Sequence, residues 1–433
     1  MTPSLKTEKV SRLRDLRECD GCGKLLQLPP LSAGMEARCP RCEAVLRRRR
    51  ANSLDTPLAL SLAGLVLYGV TMTTPFLSLH LLGQSRVSGV ETGASAFIQD
   101  GFWMLSIVVL LTLVLVPLAR LLLLLLVLLG LRLRQPPRWL FLPFRWHERL
   151  GTWAMVEVFL FGALVSYTRL VDLAEVQVGP AAYGLGLLAL TLVAVNAALE
   201  PQRVWDALDQ CGATASAAQA AAAGPALARA RPISCDRCRL LSTADPGHPC
   251  PRCGTVLHPR KPNSVARSWA LILSAAILYI PANYYPVMFI VTFGRGGPHT
   301  ILGGVQEFIE TGFWPLALIV FLASVAIPML KLCGLALMLV GIHRRSATRL
   351  RDRTRLYRLV EAIGRWSMID VFVVSVLISL VRFGVIASIT AQVGAVCFAA
   401  VVVLTIFAAE AFDPRLIWDA AGQPETKRDE RRR

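Results

Sequence analysis

An apolar run of bilayer-crossing length that ends on a base occurs twice in this chain. Gly101 to Arg120 reads GFWMLSIVVLLTLVLVPLAR and Gly312 to Lys331 reads GFWPLALIVFLASVAIPMLK. The Gly-Phe-Trp opening, the late proline and the terminal base keep a constant offset of 211 residues. Such a run spans the ~30 Å hydrocarbon core, and a base inside it is expensive and functional by default. The chain must therefore fold as two related membrane units, each with an internal charge to accommodate.

Composition agrees: 54% of the 433 residues are hydrophobic, which makes this a polytopic α-helical membrane protein. The net charge of +17 sits in short basic segments beside the apolar runs, as cytosolic loops require. That accounts for the charge without nucleic acid, and no nucleic-acid partner is expected. The first fifty-odd residues lack an apolar h-region, so no cleavable signal peptide is expected and the N-terminus is placed in the cytosol.

Spans are expected at about Leu58 to Leu82, Phe102 to Leu131, Thr152 to Leu170 and Ala181 to Leu199. The second set is Trp269 to Val291, Phe313 to Gly341, Trp366 to Ser388 and Val393 to Phe412. The basic runs at Arg47 to Arg50, Arg132 to Arg149, Arg344 to Arg365 and Lys427 to Arg433 place both termini inside. In the third run, Leu350, Leu356, Leu359 and Ile363 suggest a helix along the membrane surface. Glu91 and Asp100 mark the base-poor loop from His80 to Gly101 as external.

The second half of each unit repeats at an offset of 213. Gly151-x-Trp153-x-Met155-x-Glu157-Val158-Phe159 matches Gly364-x-Trp366-x-Met368-x-Asp370-Val371-Phe372. With an even number of spans per unit, the repeats are parallel rather than inverted. The expected division is 1–51 ribbon one, 52–211 unit one, 212–232 an alanine-rich linker, 233–262 ribbon two, 263–420 unit two and 421–433 a basic tail.

Eight of the eleven cysteines fall into Cys-x-x-Cys pairs. Cys19, Cys22, Cys39 and Cys42 have sixteen residues between the pairs, the spacing of a zinc ribbon. Cys235, Cys238, Cys250 and Cys253 have eleven, shorter than usual, with His248 and His258 near enough to substitute. In a reducing compartment the pairs argue for metal over disulfides, and redox motifs would need a βαβ pattern that is absent. Two structural zinc ions are expected. Cys333 and Cys397 read as small hydrophobes within spans.

A zinc ribbon followed by four spans, twice over, with GFWP, IPMLK, WSMIDVF and RLIWD as they stand here, resembles the paraquat-inducible protein A family over essentially the whole chain. The resemblance implies a place in the inner membrane of Gram-negative bacteria and an MCE-domain partner bridging the periplasm. It also implies traffic of phospholipid or another membrane lipid between the two membranes.

Within the spans, Ser324 and Lys331 are seven residues apart and share a helix face, as do Ser367 and Asp370, three apart. Lys331 lies ten residues from Gly341, roughly 15 Å deep, and needs a carboxylate. Asp370 is the expected partner, with Thr405 completing the cluster. A purely structural ion pair is the competing reading. Unit one keeps the charges as Arg120 and Glu157, but Leu113, Ala154 and Leu192 replace the three hydroxyls. A buried lysine can be tuned to release its proton and an arginine cannot, so unit two is the expected working site and unit one the scaffold.

No nucleophile-base set, phosphate loop or nucleotide motif appears, which excludes an ATPase and argues against an enzyme. The readings carried forward are a lipid-transport subunit, proton-coupled through Lys331 and Asp370, an ion or small-molecule transporter without lipid substrate, and a membrane redox protein.

Overall fold

Spans one and five stop short of where their apolar composition ends, and a repeated proline is the reason. The computed structural model describes residues 16–29, 31–49, 54–81, 83–171, 175–212, 232–292, 295–310, 312–383 and 387–422. In it span one is Asp55–Thr73 and span five Ser264–Tyr284. Pro75 and Pro286 follow, and Thr74 and Tyr285 before them are extended, because the proline ring disfavours helix in its predecessor.

The residues expected to finish those spans form strands instead. Leu77–Leu81 and Met288–Thr292 are each the middle strand of a three-stranded antiparallel sheet. Their hairpin partners are Gln84–Ser88 and Arg295–His299, and the third strands, Glu175–Val178 and Ala387–Ala391, come from after spans three and seven. Even the register repeats: Leu79 faces Arg86 and Val176, and Ile290 faces Gly297 and Ile389. Span seven accordingly ends at Leu380, its α-helix Ile369–Leu380 continuing the 3-10 turn Gly364–Met368 within the longer helical run Leu350–Leu380.

The remaining spans keep their expected places: two, Trp103–Gly130; three, Val156–Val171; four, Pro180–Ala198; six, Trp314–His343; and eight, Val393–Ala411. Eight helices among the described residues are long and apolar enough to cross a membrane. The linker expected at 212–232 lies almost wholly outside the described residues, as does the basic tail from Gln423.

Span one packs along span four and span five along span eight, while spans three and seven meet at the centre. There Phe159 and Phe372, repeat counterparts, stack edge to face at 5.5 Å. A residue touching its own counterpart marks a local two-fold axis. Ser166 donates across it to the Val373 carbonyl at 3.2 Å, and a Cβ on Gly162 would sit 3.0 Å from that of Phe372. Close approach through small residues supplies the van der Waals contact that drives helix association in lipid.

At the end away from the ribbons the units reach into each other. Arg382, after span seven, donates to the Ala96 carbonyl at 2.9 Å and pairs with Asp100 at 2.7 Å, holding the unit-one helix Thr92–Gln99. Its counterpart Arg169 lies 4.0 Å over the Phe308 ring and 3.4 Å from the Gly304 carbonyl, holding the unit-two helix Ile301–Glu310. A Cβ on Gly93 would lie 2.0 Å from Ser375 Oγ and 3.1 Å from its carbonyl oxygen. Gly93→Ala should therefore cost about 1–3 kcal/mol by overpacking. A lowered melting temperature of the purified protein would register it, and an unchanged one would mean the units are less tightly joined.

The ribbons are exchanged as well. Ribbon one, whose hairpins pair Leu16–Glu18 with Leu25–Gln27 and Glu36–Arg38 with Val45–Arg48, packs its cysteines into a cluster with Leu335, Tyr357 and Trp418 of unit two. Ribbon two packs on Leu124, Phe144 and Trp205 of unit one. The polar contacts repeat residue for residue. Arg358 Nη2 donates to the Cys42 carbonyl, and its counterpart Arg145 donates to the Cys253 carbonyl at 3.0 Å.

The basic helix Leu350–Ile363 thus differs from the expected surface helix. It buries Leu350, Thr354, Tyr357 and Val360, leaves Leu359 exposed, and is covered by ribbon one through Arg355 to Glu43 at 2.8 Å and Arg351 to the Arg41 carbonyl at 2.9 Å. Both ribbons also reach the end of span eight, where Arg415 pairs with Asp413 at 3.0 Å, Asp236 at 2.9 Å and Glu18 at 3.5 Å. Burial opposes the charge on both Asp413 and Arg415. Their mutual pairing outweighs it, holding Asp413 below the usual carboxylate range and Arg415 above that of a guanidinium.

Candidate metal centres and intramembrane polar site

Each four-cysteine set is gathered and buried, with all four sulfurs within 4.8 Å of one another. The close separations are 3.4 and 3.6 Å in ribbon one and 3.5 and 3.6 Å in ribbon two. A tetrahedron with Zn–S bonds of ~2.3 Å has edges of about 3.8 Å, so the donors fit a Zn²⁺ site. The residue after the second cysteine of every pair, Gly23, Glu43, Arg239 and Gly254, has φ between 56° and 69°. This left-handed residue turns the backbone so that both thiols of a knuckle face inward, and two non-glycine residues accept its strain. The shorter spacing of ribbon two does not prevent closure, and no histidine is needed.

The polar site begins with a defect in span six. Pro328 has no N–H to give the Ser324 carbonyl, and its ring would clash there in a regular helix. The helix widens to a π turn over Leu322–Ala326, as span two does over Leu110–Leu115 before Pro117. Such turns reset the helix phase and concentrate at functional positions.

Beyond it Lys331 is 2% exposed and donates to Ser367 Oγ at 2.8 Å and Thr405 Oγ1 at 3.3 Å. Both hydroxyls spend their own protons on backbone carbonyls, Gly364 at 3.1 Å and Val402 at 2.9 Å. They therefore present only lone pairs to the nitrogen. The group opens on a cavity of about 390 Å³ toward the ribbons, lined also by Arg358, Glu361, Arg365 and Glu410.

The expected pairing of Lys331 with Asp370 is corrected: the two form no ion pair. Asp370 faces away from the ribbons, onto cavities of about 50 and 10 Å³ lined by Val287, Ile301 and Val374. Ser324 is its hydrogen-bonding neighbour and Arg169 the charge that acts on it, while its Oδ2 is buried without a partner. The one Ser324 hydroxyl proton goes to the Val320 carbonyl at 2.6 Å, so Ser324 presents only lone pairs toward Asp370. Ser367 lies in the 3-10 turn Gly364–Met368 and Asp370 in the first turn of the α-helix Ile369–Leu380, so the shared face that a spacing of three gives in one regular helix does not form. The five residues form two groups, Lys331 with Ser367 and Thr405, and Asp370 with Ser324.

In unit one Arg120 Nη2 donates to Asn196 Oδ1 at 2.9 Å and its Nε is buried without a partner. Glu157, at the start of span three, acts on it only at longer range. Sequence reasoning missed Asn196 and the Arg169 and Arg382 clasps. The clasps carried a signal, because the two arginines are exact counterparts at the 213 offset.

The family model described as Paraquat-inducible protein A matches residues 54–209 and 265–422. The chain is similar to "Intermembrane transport protein PqiA" of Escherichia coli (strain K12), 34% identical over 421 residues, covering 95% of this chain and 97% of the relative. It is 30% identical over 407 residues to "Lipophilic envelope-spanning tunnel protein A" of the same organism, covering 94% and 92%. It is 26% identical over 419 residues, covering 95% and 98%, to "Probable intermembrane transport protein" of Haemophilus influenzae. No solved structure matches. With both units matched in order and full-length relatives above 30% identity, this multi-pass membrane protein belongs to the paraquat-inducible protein A family.

Proposed function

We propose that the chain is the inner-membrane subunit of an intermembrane lipid-transport system, loading or extracting lipid at a periplasm-spanning MCE-domain partner. In this reading the ribbons and both termini are cytosolic, the ribbons hold two structural zinc ions, and the units follow the division expected from the sequence. The transport work falls to Lys331, Ser367, Thr405, Asp370 and Ser324. The observation that carries it is the placement of Lys331 and Asp370. Two ionisable groups on neighbouring spans face separate cavities that share no lining residue, Lys331 toward the ribbons and Asp370 away from them. That is the arrangement a proton relay needs if it is not to leak, and polar groups in the bilayer mark transport paths. Homology to intermembrane transport proteins over nearly the whole chain supports lipid as the cargo.

The test is purification of the tagged chain from native membranes after chemical crosslinking, with mass spectrometry of lipid and protein. The expected result is lipid in stoichiometric amount and a crosslinked MCE-domain protein. Neither, together with proton-driven uptake of an ion or small solute into vesicles, would replace lipid transport by secondary transport of another substrate.

A further inference from the structure

The base of unit one opens on a cavity of its own. It measures about 500 Å³, within the ~300–1,000 Å³ of small-molecule sites, and lies under Arg120 between the two ribbons. The strand Val45–Arg48 of ribbon one forms one wall, the knuckle Asp236–Arg239 of ribbon two another, and His147 and Asn196 line the membrane side.

Five arginines reach this space: Arg47, Arg48, Arg120, Arg237 and Arg239. Three are answered by carboxylates, Arg47 by Glu200 at 3.6 Å, Arg48 by Glu36 at 2.7 Å and Arg239 by Asp20 at 2.9 Å. Among the described residues Arg120 and Arg237 make no ion pair. Arg120 rests on the neutral amide of Asn196, with Nε buried and unpartnered. Of the three lining acids, Glu200 is taken by Arg47 and Asp236 by Arg415 at 2.9 Å, while Glu148 accepts from Trp205 Nε1 at 3.3 Å. A half-buried guanidinium whose Nε is buried without a partner, and which pairs with no carboxylate, is an incomplete site.

The lining also belongs to this unit alone. At the 213 offset His147 and Asn196 correspond to Val360 and Ala409, which line the cavity under Lys331. The cavity that holds a titratable lysine and hydroxyls in unit two is thus a chamber of arginine and amide in unit one.

We propose that this chamber binds a phosphate-bearing anion, with Arg120 from above and Arg237 from ribbon two closing on its oxygens. Guanidinium forks match phosphate geometry and keep their charge at all physiological pH values. Occupancy would complete Arg120's hydrogen bonding and tie ribbon two to span two. The site goes beyond the transport reading, because it uses none of the residues assigned to transport there.

The experiment uses the full chain in detergent with its metal content checked. Inorganic phosphate is measured by equilibrium dialysis, and dihexanoyl phosphatidylglycerol by titration calorimetry. Saturable binding of one anion per chain is expected, weakened about tenfold by Arg120→Gln or Arg237→Gln and unchanged by Lys331→Met. Phosphatidylglycerol binding much tighter than phosphate identifies a lipid head group, and comparable binding a free anion; both support the site. No saturable binding of either probe overturns it, as does binding indifferent to Arg237→Gln. That variant sits on a half-buried ribbon surface and decides the question even if Arg120→Gln fails to fold.

Discussion

Lys331→Met is expected to leave the protein folded at wild-type levels and to abolish its transport. The ammonium is held only by the hydroxyls of Ser367 and Thr405, which keep their bonds to backbone carbonyls when it is gone. Removing it strands no opposite charge and lifts a desolvation penalty of several kcal/mol, so stability should be unchanged or higher. A structural ion pair would behave in the opposite way. Its loss would strand a buried carboxylate and cost ~3–5 kcal/mol, and the double replacement with Asp370→Leu would restore folding.

With the two groups facing different cavities, the stability effects of Lys331→Met and Asp370→Leu should instead add within about 0.5 kcal/mol. Lys331→Arg then separates two mechanisms. A guanidinium still receives an anionic head group but cannot surrender a proton, so loss of transport in this variant points to proton relay. Thermal unfolding of the wild type, both single variants, their double replacement and Lys331→Arg, beside complementation of outer-membrane integrity, reads both quantities. Full transport by a well-expressed Lys331→Met variant would falsify the role assigned to this site.

Cys42→Ser should damage the unit that the ribbon does not precede in the chain. The ligand set of ribbon one is packed against Leu335, Tyr357 and Trp418, and its backbone is held by Arg351 and Arg358, all of unit two. Zinc is worth ~10–16 kcal/mol of folding free energy in isolated zinc-finger peptides, and ribbons this small have little core without it. The variant should retain one zinc per chain instead of two. Hydrogen exchange should accelerate over Leu350–Ile363 and leave the unit-one helix Phe141–Arg149 protected. Cys253→Ser should produce the mirror image. Exchange that rises in the ribbon's own unit would contradict the crossed docking, and full stability of a metal-free protein would remove zinc from its architecture.

Much of this was open to inspection residue by residue. The apolar runs, the constant offsets and the basic loops define two parallel four-span units, because hydropathy and charge act locally along a chain. The cysteine spacing defines two donor sets for the same reason, as the chelating hairpin closes within each ribbon. The early ends of spans one and five were written in Pro75 and Pro286 but hidden by the apolar strands that follow them. A buried strand and a buried helix look alike in composition.

What the tertiary structure alone decided is which partner each surface meets. The two units present nearly the same faces, Arg145 with Arg358, Arg169 with Arg382, Phe159 with Phe372, so docking within a unit and docking across the axis satisfy the same sequence pattern. Only the packing of spans three and seven around that axis, together with the helix phase set by the π turn before Pro328, sends each ribbon to the opposite unit and turns Lys331 and Asp370 to separate cavities.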